Sequence, residues 1–230
     1  MIIRDDNYMI VSKRSNDSYW DDFFYPDWAA VKLFRFFPEE KAGHGVEPHY
    51  HDGDEIWLFT AGRGAGRGEV WLNDQIFEIT PNTVVYTPMG VVHRFQMFHD
   101  FETSALVTRL ERQRRATHIY VEEAGAPEPT VPGFVVPGSS NDGPIPDPGE
   151  RCPLSELRQI AFAQGEGVDE AQLDRNEHWL PLAGTVHLTV DGLAIELAPG
   201  DVALLRAGAV RRLQSETVAR VALARERGRA

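Results

Sequence analysis

Short runs rich in β-branched and aromatic residues recur along the chain between Gly, Pro, Asn and Asp: AVKLFRFF, EIWLF, EVWL, TVVYT, HRFQMF, TSALVTRL, then TVHLTV, LAIEL and DVALL. Runs of this length, bounded by turn formers, are the pattern of half-buried strands, and their regular spacing predicts an all-β sandwich or barrel. Helical periodicity shows only weakly, around LSELRQIAFAQ and near the C-terminus. The basic tail RVALARERGRA reads as a frayed end in preference to a last helix. From Glu123 to Glu150 the pattern stops. Pro127, Pro129, Pro132, Pro137, Pro144, Pro146 and Pro148 exclude a central strand there, so the stretch is expected to be a linker or an embracing arm.

The segments on either side of this stretch repeat one another. EIWLFTAG from Glu55 matches EHWLPLAG from Glu177, and GRGEVWLNDQIFEITPN from Gly66 matches GTVHLTVDGLAIELAPG from Gly184. The two registers differ by a four-residue insertion, which falls in the run Gly62-Arg63-Gly64-Ala65-Gly66-Arg67-Gly68. A loop absorbs extra length at little entropic cost, and this run is expected to be a hairpin. It does not fit the spacing of a phosphate-cradling G-x-G-x-x-G. Thr87-Pro88-Met89-Gly90 falls on Leu205-Arg206-Ala207-Gly208. The chain therefore divides into a first β domain at 1–122, a Pro/Gly-rich linker at 123–150 and a second β domain at 151–230.

Composition narrows the partners. A formal net charge of -12 repels phosphate backbones and anionic bilayers, so a small-molecule ligand is expected, with no nucleic acid and no membrane. No apolar run approaches the length of a membrane span, and MIIRDDNYMI lacks the order of a secretory signal, which makes the cytoplasm the expected location. The single Cys152 has no internal disulfide partner. The aromatic segment SYWDDFFYPDW carries more apolar surface than a solvated arm should, so a homodimer that covers it is expected.

The candidate chemistry lies in the first copy. Gly43, His49, His51, Glu55 and Gly62 stand as G-x5-H-x-H-x3-E-x6-G, and Pro88-Met89-Gly90-Val91-Val92-His93 follows. Histidines two apart on a strand share a face and can share an ion, and a turn around Gly53 lets Glu55 join them. Three imidazoles and one carboxylate suit Fe, Mn, Co, Ni, Cu or Zn and hold Mg or Ca poorly. These motifs resemble those of the cupin superfamily, departing from its pattern only at Asn82 and Met97, neither a ligand. The resemblance implies two tandem double-stranded β-helix (jelly-roll) barrels, with His49, His51, Glu55 and His93 directed into the mouth of the first.

In the second copy Glu177 stands for Glu55, but Ala171, Leu173 and Arg211 replace His49, His51 and His93. This copy resembles a degenerate cupin domain, a packing partner or a holder of an anion by Arg206 and Arg211. His178 and His187 have no ligand spacing there, His44 and His99 flank the ligand strands without sharing a face with them, and His118 begins a strand, HIYVEE, expected to lead to the linker. Alternation places Trp57 and Phe59 on the face of Glu55, and Phe95 and Met97 on that of His93, as an apolar lining or as core. Tyr86, Lys32 and Arg109 lie on strands that can reach the pocket. One divalent transition metal, Fe(II) first among the candidates, is the expected cofactor. The expected activity is a dioxygenase acting on a small polar metabolite with dioxygen. A metal-dependent isomerase or epimerase of a carbonyl compound or sugar, and a non-catalytic binding module, are the alternatives.

Overall fold

A computed structural model of the chain describes residues 2–11, 21–25, 29–36, 46–51, 55–61, 67–72, 74–81, 83–97, 101–108, 118–125, 133–136, 143–144 and 154–227. Among these the regular structure is strand, apart from one turn of helix, α1 (Val121–Ala124). Two compact units divide the chain: Asn16–Ser140 forms one, and Met1–Ser15 with Asn141–Ala230 forms the other. His44, His99, Arg109 and Cys152 lie outside the described residues.

The first unit contains two antiparallel sheets. One has the order β12 (His118–Tyr120), β5 (His49–His51), β10 (His93–Met97), β7 (Gly68–Leu72) and β8 (Gln75–Ile79). The other runs β13 (Phe134–Val136), β9 (Val84–Thr87), β6 (Glu55–Ala61), β11 (Phe101–Thr108), β4 (Ala29–Phe36) and β3 (Asp21–Tyr25). Alternate residues of both sheets meet in a core of Trp57, Phe59, Val70, Leu72, Ile79, Val85, Val91 and Phe95, all at most 5% exposed. This is the jelly-roll arrangement that the strand pattern predicts.

The second unit repeats the plan. Its larger sheet runs β1 (Ile2–Arg4), β2 (Tyr8–Val11), β20 (Val202–Leu205), β17 (Glu177–Ala183), β22 (Ala219–Glu226), β15 (Leu154–Phe162) and β14 (Gly143–Pro144). The smaller runs β16 (Gly167–Gln172), β21 (Val210–Ser215), β18 (Val186–Val190) and β19 (Leu193–Leu197). Its core gathers Tyr8, Ile10, Trp179, Leu188, Leu213 and Leu223 among others. Strand for strand, β9-β6-β11-β4 corresponds to β20-β17-β22-β15, and β5-β10-β7-β8 to β16-β21-β18-β19.

The ladders repeat in detail. Glu55 pairs with Thr87 and Glu177 with Leu205. His93 pairs with His49 and Arg211 with Ala171. Gly90, at φ 80, sits in the Pro88–Val91 turn and donates its N–H to His51 O at 3.0 Å, while Gly208, at φ 95, does the same to Leu173 O at 2.8 Å. Only glycine takes that left-handed conformation without strain, which is why both copies keep it before the third ligand position. The β18–β19 hairpin closes through Asp191-Gly192 at φ 46 and 84, the two-residue turn suited to strand twist.

Four features differ from the sequence reading. LSELRQIAFAQ and the C-terminal run form the strands β15 and β22, because eight residues of β15 pair with β22 in a ladder that outweighs a weak helical period. Residues 62–66 of the expected hairpin lie outside the described residues, but the flanking strands β6 and β7 belong to different sheets and do not pair with one another. Six residues separate β6 from β7 and two separate β17 from β18, which is the four-residue insertion. The division at 122 and 150 also shifts. β1 and β2 pair into the second unit through β20, and β13, from within the expected linker, edges β9 of the first. As the prolines require, β13 and β14 occupy sheet edges. Within the aromatic segment, β3 is likewise an edge strand, paired with β4.

Candidate metal centre

Period-two alternation on β5 places His49 and His51 on one face, and β10 brings His93 into register with His49. β6 starts at Glu55 on the opposing sheet. All four side chains are about 1% exposed. Imidazole centroids lie 4.4 Å apart for His49 and His93, 4.9 Å for His49 and His51, and 5.1 Å for His51 and His93. The ligand atoms of the three histidines fall within 4.8 Å of one another. Glu55 Oε2 reaches His51 Nε2 at 3.1 Å and His93 Nε2 at 3.7 Å. The expected quartet is thus assembled at one point.

The hydrogen bonds around it suit a metal. His49 Nδ1 donates to Glu47 O at 2.7 Å and His93 Nδ1 to Val91 O at 2.9 Å. Donation from Nδ1 fixes the tautomer in which Nε2 carries the lone pair, the usual second layer around a metal-bound imidazole. His93 Nε2 and Glu55 Oε2 are buried without a hydrogen bond. Burial pushes the Glu55 carboxyl up, but the imidazoles of His51 and His93 overcome this and hold it well below the ordinary carboxylate range. The donor set, its burial and its tautomers fit a divalent transition ion of the Fe, Mn, Co, Ni, Cu or Zn series.

Below the quartet, Trp57, Phe59 and Phe95 pack as an aromatic layer, with centroids 4.8 Å apart for Trp57 and Phe95 and 5.8 Å for Phe59 and Phe95. Phe95 meets His93 edge-on at 5.7 Å. These three are core residues, and Phe95 joins their layer to His93. Met97 pairs with Gly68 in register, two residues beyond Phe95. Tyr86 turns away, because it pairs with Ile56 on the other face of β6 and packs on Phe134 at 5.1 Å.

The strand that begins at His118 was expected to lead to the linker, and the structure sets it, as β12, beside β5. Its ladder with β5 sets His118 opposite His51 and Tyr120 opposite His49, and the Tyr120 ring lies 6.1 Å from His49. The ligand-bearing face therefore continues onto an edge strand that arrives from far along the chain, and no local pattern announces that partner.

Among the described residues, the positions of the second unit that correspond to the quartet carry no metal ligand besides Glu177. Arg211 Nε donates to Glu177 Oε2 at 3.1 Å, as does Trp179 Nε1 at 3.0 Å, and Arg225 Nε donates to Oε1 at 2.9 Å. Arg211 also donates to Asp169 O at 2.9 Å. Its guanidinium is thus committed to Glu177, which favours the packing-partner reading over an anion held by Arg211. His178 lies on the opposite face of β17, fully buried, and burial pushes its pKa down. His187 pairs with Glu216 and lies near Glu196 at the surface. We predict one tightly bound transition ion per chain, in the first unit. Elemental analysis showing two ions, both removed by chelation, would contradict this.

Comparison with known proteins agrees with this architecture. Residues 36–106 match the family of the AraC-like ligand binding domain. Salicylate 1,2-dioxygenase from Pseudaminobacter salicylatoxidans superposes with a TM-score of 0.63 at 9% identity, over 86% of this chain and 71% of that one. AerE from Microcystis aeruginosa superposes at 0.60 with 12% identity, over 99% of this chain and 97% of that one. A cupin 2 conserved barrel domain protein from Leptotrichia buccalis gives 0.58 at 12% identity, over 94% and 92%. No curated protein matches by sequence.

Proposed function

We propose, for a chain built of two cupin jelly-roll barrels, that the first is a metal-dependent oxygenase site, iron(II) its working ion, and that the second is its metal-free scaffold. The observation that carries this is the buried quartet of His49, His51, Glu55 and His93. Support comes from the shared fold with the salicylate dioxygenase, a variant of which has been solved with gentisate. Iron(II) held there would supply the electrons that oxygen chemistry requires.

The chain's own residues then have defined tasks. His49 and His93 are locked by their backbone acceptors, so the donor set is preorganised. Glu55 brings one negative charge among three neutral imidazoles and lowers the net charge of a loaded site. Trp57, Phe59 and Phe95 exclude water from beneath the ligands, which strengthens the electrostatic interactions above them. A second reading, a non-catalytic ligand-binding module, takes its support from the match over residues 36–106.

Reconstitution decides among the readings. Apo-protein loaded with iron or with zinc would be assayed for oxygen consumption and product over a panel of small acids that includes salicylate and gentisate. Turnover is expected with iron in air, none with zinc and none without oxygen, because zinc has no accessible redox step. Full turnover by the zinc form under anaerobic conditions would replace the oxygenase with a Lewis-acid isomerase. Tight binding of a panel compound without turnover by either metal form would favour the binding module.

A further inference from the structure

The ligand strand β5 is flanked in the first barrel by a strand that has no described counterpart in the second. β12 pairs with β5 through His118 and His51, Ile119 and Tyr50, and Tyr120 and His49, whereas β16, the counterpart of β5, is the outermost described strand of its sheet. The effect is visible at matched positions. Ala171, in the place of His49, is exposed, while His49 is 1% exposed. The barrel that keeps its ligands is covered at the very edge where the barrel that lost them stands open.

Tyr120 is the part of that cover that faces the site. Directly paired residues of a ladder project from one face, so Tyr120 shares the face of His49, and Ile119 shares the other with Tyr50. The Tyr120 and His49 rings lie 6.1 Å apart at 52°, within the range of aromatic pairs. Immediately after Tyr120, Val121 N donates to Pro48 O at 3.1 Å and Gly125 N to Val121 O at 2.8 Å, which pins the backbone beside β5. Phe95 makes a comparable approach to His93 and is 3% exposed, but Tyr120 is only partly buried and ends in a hydroxyl. Pockets that are mostly apolar take their selectivity from a few polar groups placed in this way.

We propose that Tyr120 is a specificity-determining residue of the first barrel, its hydroxyl donating a hydrogen bond to a small anion bound beside His49 at the metal. This rests on the reading of the first barrel as a metal site and names the class of ligand that the site takes. The charge balance favours an anion, because three neutral imidazoles and the Glu55 carboxylate leave one positive charge of a divalent ion uncompensated. A phenol donating to an anion makes a charge-assisted hydrogen bond, stronger than one between neutral groups.

The test is azide titration of the full-length protein reconstituted with cobalt(II), read from the visible spectrum of the ion. Wild type is expected to bind azide with a change in that spectrum. Tyr120→Phe keeps the ring and removes the hydroxyl, and should weaken azide by about tenfold or more while cobalt content and the azide-free spectrum stay as they are. Tyr50→Phe, on the opposite face of β5, should bind azide as wild type does. If Tyr120 only packs on His49, the Tyr120→Phe protein will match wild type in azide affinity, and the proposal falls. It falls equally if the wild-type cobalt protein shows no spectral response to azide, or if Tyr50→Phe weakens azide as much as Tyr120→Phe does. A chain that takes up no cobalt would overturn the metal-site reading itself, and the proposal with it.

Discussion

Alanine at His93 or at Glu55 is expected to empty the first barrel of metal and, with it, to abolish turnover. His93 is the ligand supplied by β10, and its Nε2 is buried with no hydrogen bond to compensate for a missing ion. Glu55 is the only carboxylate within ion-pair distance of two of the imidazoles among the described residues. Loss of an outer partner of a metal-binding histidine typically costs about 10–100-fold in affinity, and loss of a ligand itself should exceed that. The measurement is elemental analysis after dialysis against a weak chelator, with near-ultraviolet circular dichroism to show that the fold persists. A His93→Ala protein that retains one ion per chain would mean that His49, His51 and Glu55 suffice. Metal retention should also fall on acidification, because neutral imidazoles and an ionised carboxylate are the binding forms.

The largest effect on stability is expected in the other barrel. Arg211 and Glu177 are 5% and 3% exposed, so removing the guanidinium strands a buried carboxylate whose remaining cation, Arg225, is shared with Glu156. Breaking a buried pair from one side costs about 3–5 kcal/mol. Arg211→Ala should therefore lower the denaturant midpoint of the second unit steeply, while metal content stays at one ion. Removing both charges, as in Arg211→Met with Glu177→Gln, should recover much of the loss, because no uncompensated ion is then buried. A loss below about 1 kcal/mol for Arg211→Ala would place the pair in the class of solvated surface bridges.

The site was legible in the sequence because its chemistry is local. His49 and His51 lie on one short strand, Glu55 begins the next, and Gly90 marks the turn before His93. The repeat was legible for a related reason: Trp57 and Trp179, Gly90 and Gly208 hold the same structural posts in both barrels, so the alignment survives the loss of three ligands. What the sequence did not disclose is partnership between distant strands. The residues YMIV form β2, and nothing in that short segment says that β20 is its neighbour. LSELRQIAFAQ carries enough helix formers to suggest a helix, and only the ladder with β22 decides against it. His118 could be placed in a strand, yet its position opposite His51 depends on the path of residues between β11 and β12.

The pairing of β2 with β20 joins nearly the two extremes of the chain. During synthesis, Met9, Ile10 and Val11 emerge long before Val202 to Leu205, the buried segment they will line. The described strands of the first barrel are complete once Val136 has left the ribosome, whereas the second waits for its C-terminal strands and for the early β1–β2 ribbon to be recaptured. Contacts of such sequence separation close slowly, so the second barrel should be the late step of folding. The chain also passes between the units twice, near residues 15 and 140, and a single proteolytic cut cannot release either one intact. A fragment that starts after the proline-rich stretch would leave the β20 edge without its partner, an open template for aggregation, and soluble expression of that barrel requires residues 1–15 to be supplied with it.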